Sequence, residues 1–224
     1  MVFSALVRGL SAFWLPAVRA VLWRSAGLTM LLFAAFGFAA WYGLGVAFRH
    51  FGWAAADGLV SAAVAVLIVL VCGWLLFRAI AMAIVSFFAD AIVIAIERAS
   101  YPDRHATART VPIGEGLRIA LRSLLRTIGW NLVALPFYGL LVITGIGAPL
   151  LFLLVNAYLL GRDLADLVES RHPGVRKFSS AERWQVGFVS ALLFVPPVVN
   201  LLAPVWSVAM ATHMFHARPA RPTE

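Results

Sequence analysis

Three groups of residues have types and spacings that suit chemistry. Arg118, Arg122 and Arg126 recur at i, i+4 and i+8 with Glu115 one turn ahead, so a helix would stack the three guanidinium groups on one face. Their planar, forked donors suit a sulfate-like dianion or a lipid phosphate, and Arg118 and Arg122 are candidate anion-binding residues at a mouth. Asp90 and Glu97 lie in an apolar run, within about 60° of each other and of Ser86 around a helix. An intramembrane ion pair or proton site is the functional reading of these acids. A solvated helix face, paired with Arg118 or Arg122, is the simpler reading and the one expected. His213 and His216 stand one turn apart, but two histidines without a third ligand make a poor metal site. They read as part of a polar tail, and neither a metal nor a cofactor is expected. Asn131, Asn156 and Asn200 sit in uncharged surroundings, where an unpaired buried amide is costly, so hydrogen bonds between helices are expected of them. No nucleophile elbow, phosphate loop, zinc-protease helix or dinucleotide fingerprint occurs, and enzymatic activity is not expected.

The elements that must position these groups are set by hydropathy. The 224 residues are 62% hydrophobic and only 12% charged, with a mean hydropathy of +0.92, more apolar surface than a soluble domain of this size can hide. The composition implies a single all-α integral membrane domain. The net charge is +8, and 17 of the 18 cations are arginines that flank apolar runs, so they read as topology signals rather than a nucleic-acid surface. Cys72 is the single cysteine, which excludes disulfides and zinc knuckles within one chain.

In chain order, residues 1–24 open with an amphipathic interfacial helix, on which Phe3, Leu6, Leu10, Phe13 and Trp14 oppose Ser4, Arg8 and Ser11. Residues 25–48 form a first long membrane helix, retained rather than cleaved as a signal peptide. Residues 58–97 form a second, spanning over 58–77 and protruding from the membrane beyond Arg78. Residues 100–111 read as a loop around Tyr101-Pro102-Asp103, and Pro112 starts a basic amphipathic helix. Residues 127–161 and 184–212 are uncharged stretches interrupted by turn residues, Gly145, Gly147 and Pro149 in the first and Pro196, Pro197 and Pro204 in the second. Between them, 162–169 continue a helix that His172-Pro173-Gly174 ends, and Ser179-Ser180-Ala181-Glu182 is a capping box. A polar, frayed tail, 213–224, closes the chain.

Charge and length fix how the two interrupted stretches behave. If both return to their own side, 17 of the 18 Lys and Arg residues share one side, leaving Arg49 opposite; if each crosses once, the split falls to 12 against 6. The positive-inside rule favours the first arrangement, with both termini cytoplasmic in a bacterial inner membrane. Residues 149–161 and 184–195, about 20 Å and 18 Å of helix, are too short to cross a core roughly 30 Å thick. The expected fold is therefore two long transmembrane helices and two pairs of hemi-penetrating helices. Their tips, at Gly145, Gly147, Pro149, Pro196, Pro197 and Asn200, must be buried in protein or line water, which makes them candidate pore residues.

Three segments carry a family resemblance: Ser86-Phe87-Phe88-Ala89-Asp90, Asn156-Ala157-Tyr158-Leu159-Leu160-Gly161-Arg162-Asp163, and Pro197-Val198-Val199-Asn200-Leu201. In order, spacing and surrounding hydropathy the chain resembles the CysZ family of bacterial sulfate permeases and their eukaryotic relatives, the etoposide-induced membrane proteins. The resemblance implies an oligomer with the fold just described, sulfate uptake, and family-motif roles for Asp90, Asn156 and Arg162. The permeases bind sulfate at a Gly-Leu/Ile-Arg-Arg motif after a proline; here that stretch reads Pro16-Ala17-Val18-Arg19-Ala20, so Arg19 alone carries over. An anion permease is the first expectation, with lipid, a small anion and further copies of the chain as partners and no nucleic acid. A non-transporting membrane factor for envelope integrity or partner assembly is the alternative.

Overall fold

The computed structural model describes residues 2–50, 88–200 and 202–217, and all regular structure among them is helical. The chain divides into two compact units, Met1–Arg19 with Ala89–Glu224, and Ala20–Phe88. In the second unit, α2 (Pro16–His50, which starts in the first) runs unbroken for 35 residues, about 52 Å, long enough to contain the expected span 25–48. Most of the expected helix 58–97, with Cys72 and Ser86, lies outside the described residues; only its last part appears, in the helix α3 (88–100).

The first unit is a helical assembly. It comprises α1 (Val2–Ser11), α3 from Ala89, α4 (Pro102–Thr107), α5 (Ile113–Leu141), α6 (Gly147–Glu169), α7 (Ser180–Leu193), the single turn α8 (Pro197–Asn200) and α9 (Ala203–His216). The core is built from Ile92, Val93 and Ile96 of α3, Ala165 and Val168 of α6, Val186 of α7, and Met210 and Met214 of α9, all nearly inaccessible. Helix α1 lays its small residues Ala5 and Gly9 inward and leaves Phe3, with Trp14 just beyond it, exposed. It packs on α9, where the Trp206 indole Nε1 donates to the Leu6 carbonyl at 2.8 Å.

Helices α5 and α6 form the first hairpin. Their seam is Ala134, Val155 and Leu159, with Tyr138, Leu151 and Tyr158 beside them. Pro112 precedes α5 and Glu115 sits in its first turn, where a negative charge favours the positive helix end. The stretch Ile113–Thr144 is apolar enough to cross a membrane, and only 6% of its most apolar window is buried, whereas the core helix of a soluble protein would be mostly covered. At the tip, the Thr144 hydroxyl donates to the Leu141 carbonyl (2.7 Å) and accepts from the Gly147 amide (2.8 Å), which caps both helices with one side chain. Gly145 makes the turn at φ 71°, the sole positive φ among the described residues. Open space surrounds its would-be Cβ. Gly145→Val is therefore expected to cost about 1–3 kcal/mol through backbone strain alone, read as a lower thermal midpoint in detergent.

In the second hairpin α7 packs on α9, with the single turn α8 between them in the chain. Each of the two helices has 14 residues, about 21 Å. The capping box stands as expected: Glu182 N–H donates to Ser179 Oγ at 3.2 Å, and Ser179 N–H to Glu182 Oε2 at 2.7 Å. Two expectations are corrected. The loop over 100–111 contains the helix α4, because Pro102 starts a helix rather than a turn and Asp103 supplies an acidic first turn. The tail does not fray at His213, since α9 continues to His216 with Met214 and Phe215 buried.

Candidate functional site

The most enclosed polar cluster is built around Glu97. The acid is wholly buried at the C-terminal end of α3. The segment that ends α6 brings Arg171, which donates to Glu97 Oε2 through Nη2 (3.0 Å) and Nε (3.3 Å). The same segment brings His172, whose Nε2 lies 2.7 Å from Glu97 Oε1. The last turn of α9 adds His216, with Nε2 at 3.3 Å from the same oxygen. From α4, His105 Nδ1 approaches Oε2 to 3.7 Å; that nitrogen is buried and makes no hydrogen bond. Tyr101 closes the cluster, its ring stacked on His216 at 4.8 Å and its hydroxyl 3.0 Å from His213 Nδ1.

Burial pushes the Glu97 carboxyl up, but hydrogen bonds from His172, His216 and Arg171 outweigh it and hold the group well below the usual carboxylate range. Burial lowers His216, which Glu97 only partly offsets. His213 is lowered to about 4 by burial and by the positive charge of Arg8. The cluster is thus an ionised carboxylate gripped by one guanidinium and met by the imidazoles of His172 and His216.

Beside it, a cavity of about 240 Å³ opens where α5 meets the end of α6. Arg109, Arg122 and Lys177 line it together with Glu115, Asp166 and Glu169. Around it, ion pairs staple the helices. Arg126 reaches Asp163 (2.6 Å) and Asp166 (3.1 Å), and Ser123 donates to Asp163 at 2.7 Å, tying α5 to α6. Arg183 grips both oxygens of Glu169 at 3.2 and 3.0 Å, tying α7 to α6. Asp163, Asp166 and Glu169 stand three residues apart, so α6 presents a short ladder of acids to the arginines of its neighbours.

Of the residues singled out from sequence, Arg122 lines this cavity, while Arg118 and Arg19 are exposed. Arg162 lies over the Tyr158 ring at 4.9 Å. Pro149 and Pro196 are exposed at their hairpin ends, Gly147 opens α6, and Asn200 ends α8. Asp90 is exposed, but Glu97 is not, so the expectation of a solvated face holds for the first acid and fails for the second. Nor does Glu97 pair with Arg118 or Arg122; Arg171 holds it. The asparagines also differ from expectation. Asn131 Nδ2 donates to the Thr127 carbonyl and Asn156 Nδ2 to Phe152, both at 2.8 Å, so each amide is satisfied within its own helix. His213 and His216, expected in a polar tail, are withdrawn from solvent and part company: His213 meets Tyr101, whereas His216 gathers with His172 at Glu97.

A family model described as "Sulfate transporter CysZ/Etoposide-induced protein 2.4" matches residues 5–204. No curated protein and no solved structure matches the chain.

Proposed function

Because the chain belongs to the sulfate transporter CysZ/etoposide-induced protein 2.4 family, we propose that it is a membrane permease for a small anion of the sulfate class. The family match over 200 of the 224 residues carries the reading. In this reading the chain is one integral domain of a bacterial inner membrane, with two full spans, two re-entrant hairpins, both termini cytoplasmic and several copies assembled. The charge asymmetry supports that topology, and so does the packing of α1 on α9, which holds the two ends of the chain together. The short helices α7 and α9 support a partial second hairpin, since about 21 Å does not cross a core of roughly 30 Å.

Half-helices that start inside the bilayer bring N–H donors and a partial positive charge to an anion. The start of α6, beside Gly147 and Pro149, supplies the donors in this reading, with Gly145, Pro196, Pro197 and Asn200 at the tips. Arg122, at the cavity, and the exposed Arg118 and Arg19 gather the anion at the mouths. Asp90, Asn156 and Arg162 support the fold rather than contact the anion. Flux is passive or driven by a gradient. Labelled sulfate is expected to enter proteoliposomes carrying the protein faster than empty liposomes, and Arg19→Ala or Arg122→Ala to slow it several-fold. Flux equal to that of empty liposomes removes the reading.

One observation favours a second reading. At Pro16-Ala17-Val18-Arg19-Ala20 the paired arginines of the permeases are reduced to one, and Val18 is wholly buried. A non-transporting role in envelope integrity or partner assembly follows if deletion leaves sulfate-limited growth normal and alters the envelope.

A further inference from the structure

We propose that Glu97, His172 and His216 form a binding site for a divalent transition-metal ion of the zinc class. One ligand atom from each residue falls within 4.8 Å of the others, and all three groups are almost entirely withdrawn from solvent. The donor set, two imidazole nitrogens and one carboxylate oxygen, is that of three-ligand zinc sites that keep a fourth position open.

The two separations to Glu97 fit with a small adjustment, and the two histidine nitrogens lie within 4.8 Å of each other. Zinc–nitrogen and zinc–oxygen bonds of about 2.0–2.2 Å place tetrahedral ligand atoms about 3.3–3.5 Å apart. The His216 Nε2–Glu97 Oε1 separation is already 3.3 Å. The His172 Nε2–Glu97 Oε1 separation is 2.7 Å, a hydrogen-bond length, and must open by about 0.6 Å as the metal replaces the shared proton.

The surroundings supply what a metal site needs beyond its ligands. Arg171 donates to Glu97 Oε2 and so fixes the carboxylate with Oε1 toward the histidines. Tyr101 stacks on His216 and holds its ring plane. His105 Nδ1, buried without a hydrogen bond, lies 3.7 Å from Oε2, the oxygen that Arg171 holds, and so stands outside the three-ligand set. The Arg171 guanidinium beside the ion leaves the site with a net positive charge, which favours a hydroxide or a small anion at any position the protein leaves open.

The site is independent of what the chain transports, and its test does not read flux. Tag-free full-length protein in detergent, treated with a chelator and then loaded with zinc and desalted, is expected to hold about one zinc per chain by elemental analysis. Its thermal midpoint should rise with zinc and fall back with chelator. Cobalt(II) loading should give the intense visible bands of a four-coordinate nitrogen–oxygen site. The His172→Gln/His216→Gln double variant should lose the bound metal and the cobalt bands, and Glu97→Gln should weaken zinc binding at least tenfold. Zinc retention well below one per chain in the wild-type protein, with a midpoint indifferent to zinc, overturns the proposal and leaves a closed hydrogen-bonded network. Full zinc occupancy in a folded double variant overturns it equally.

Discussion

Gly187→Val is expected to separate α6 from α7 and to destabilise the protein by on the order of 3 kcal/mol or more, the upper end of the cost of overfilling a packed core. Helices α6 and α7 touch backbone to backbone at this point. A Cβ on Gly187 would overlap the Ala157 carbonyl oxygen and stand 2.6 Å from the Gly161 nitrogen and 2.8 Å from its Cα. A Cβ on Gly161 would overlap the Arg183 carbonyl in turn. None of these atoms is the end of a flexible side chain, so one helix must move. Ala157 and Gly161 on α6 lie one turn apart, as do Gly187 and Ala191 on α7, and all four are buried. This is the small-residue pairing by which membrane helices approach closely. Gly129→Ala supplies the contrast. Its Cβ meets nothing within 4 Å, and the helix gains about 0.5–1 kcal/mol from replacing an interior glycine. Thermal unfolding of the purified protein should therefore move in opposite directions for the two variants. Equal midpoints would show that the helices are not in contact as described.

Glu97→Leu is expected to cost about 3–5 kcal/mol, the loss seen when one partner of a buried ion pair is removed and the other is left uncompensated. Arg171 is the group stranded, with only 6% of its surface exposed and its two donors to Glu97 gone. Replacing both partners should do less harm than replacing one, so Glu97→Leu/Arg171→Leu is expected to recover much of the loss. Unfolding monitored by helical circular dichroism under increasing SDS would measure the cycle. An additive double variant would show that Arg171 draws little from Glu97. The effect should be concentrated in the first unit, where the carboxylate joins α3 to the end of α6 and to the end of α9.

How much could be read in advance depended on sequence distance. The capping box at Ser179–Glu182 and the helix stop at His172-Pro173-Gly174 were legible because their partners lie within three or four residues. The α5–α6 turn was legible because an uncharged stretch of fixed length cannot hide a Gly-x-Gly-x-Pro break. The glycine contact stands in the sequence as small residues four apart, Ala157 and Gly161 on one helix and Gly187 and Ala191 on the other, but such spacing does not say which two helices meet. The asparagines misled because an amide in apolar surroundings has a cheaper solution than a partner helix, namely its own carbonyl four residues back. The Glu97 cluster was not legible. His172 and His216 lie 75 and 119 residues from Glu97, and nothing local marks three separated residues as neighbours.

The seat of α1 carries a consequence for how the protein is made. The bond between Leu6 and Trp206 joins residues 200 positions apart, and α1 rests on the last described helix of the chain. Its docking surface therefore does not exist until about 200 further residues have been made. At about 5–20 residues per second the ribosome leaves the first helix without its partner for about 10–40 s. During that interval Phe3 and Trp14, which the finished fold leaves uncovered, are the residues that can hold it at the lipid surface. A helix made about 200 residues ahead of its partner finds its place late, and the greasy face it never buries is what keeps it waiting where α9 will arrive.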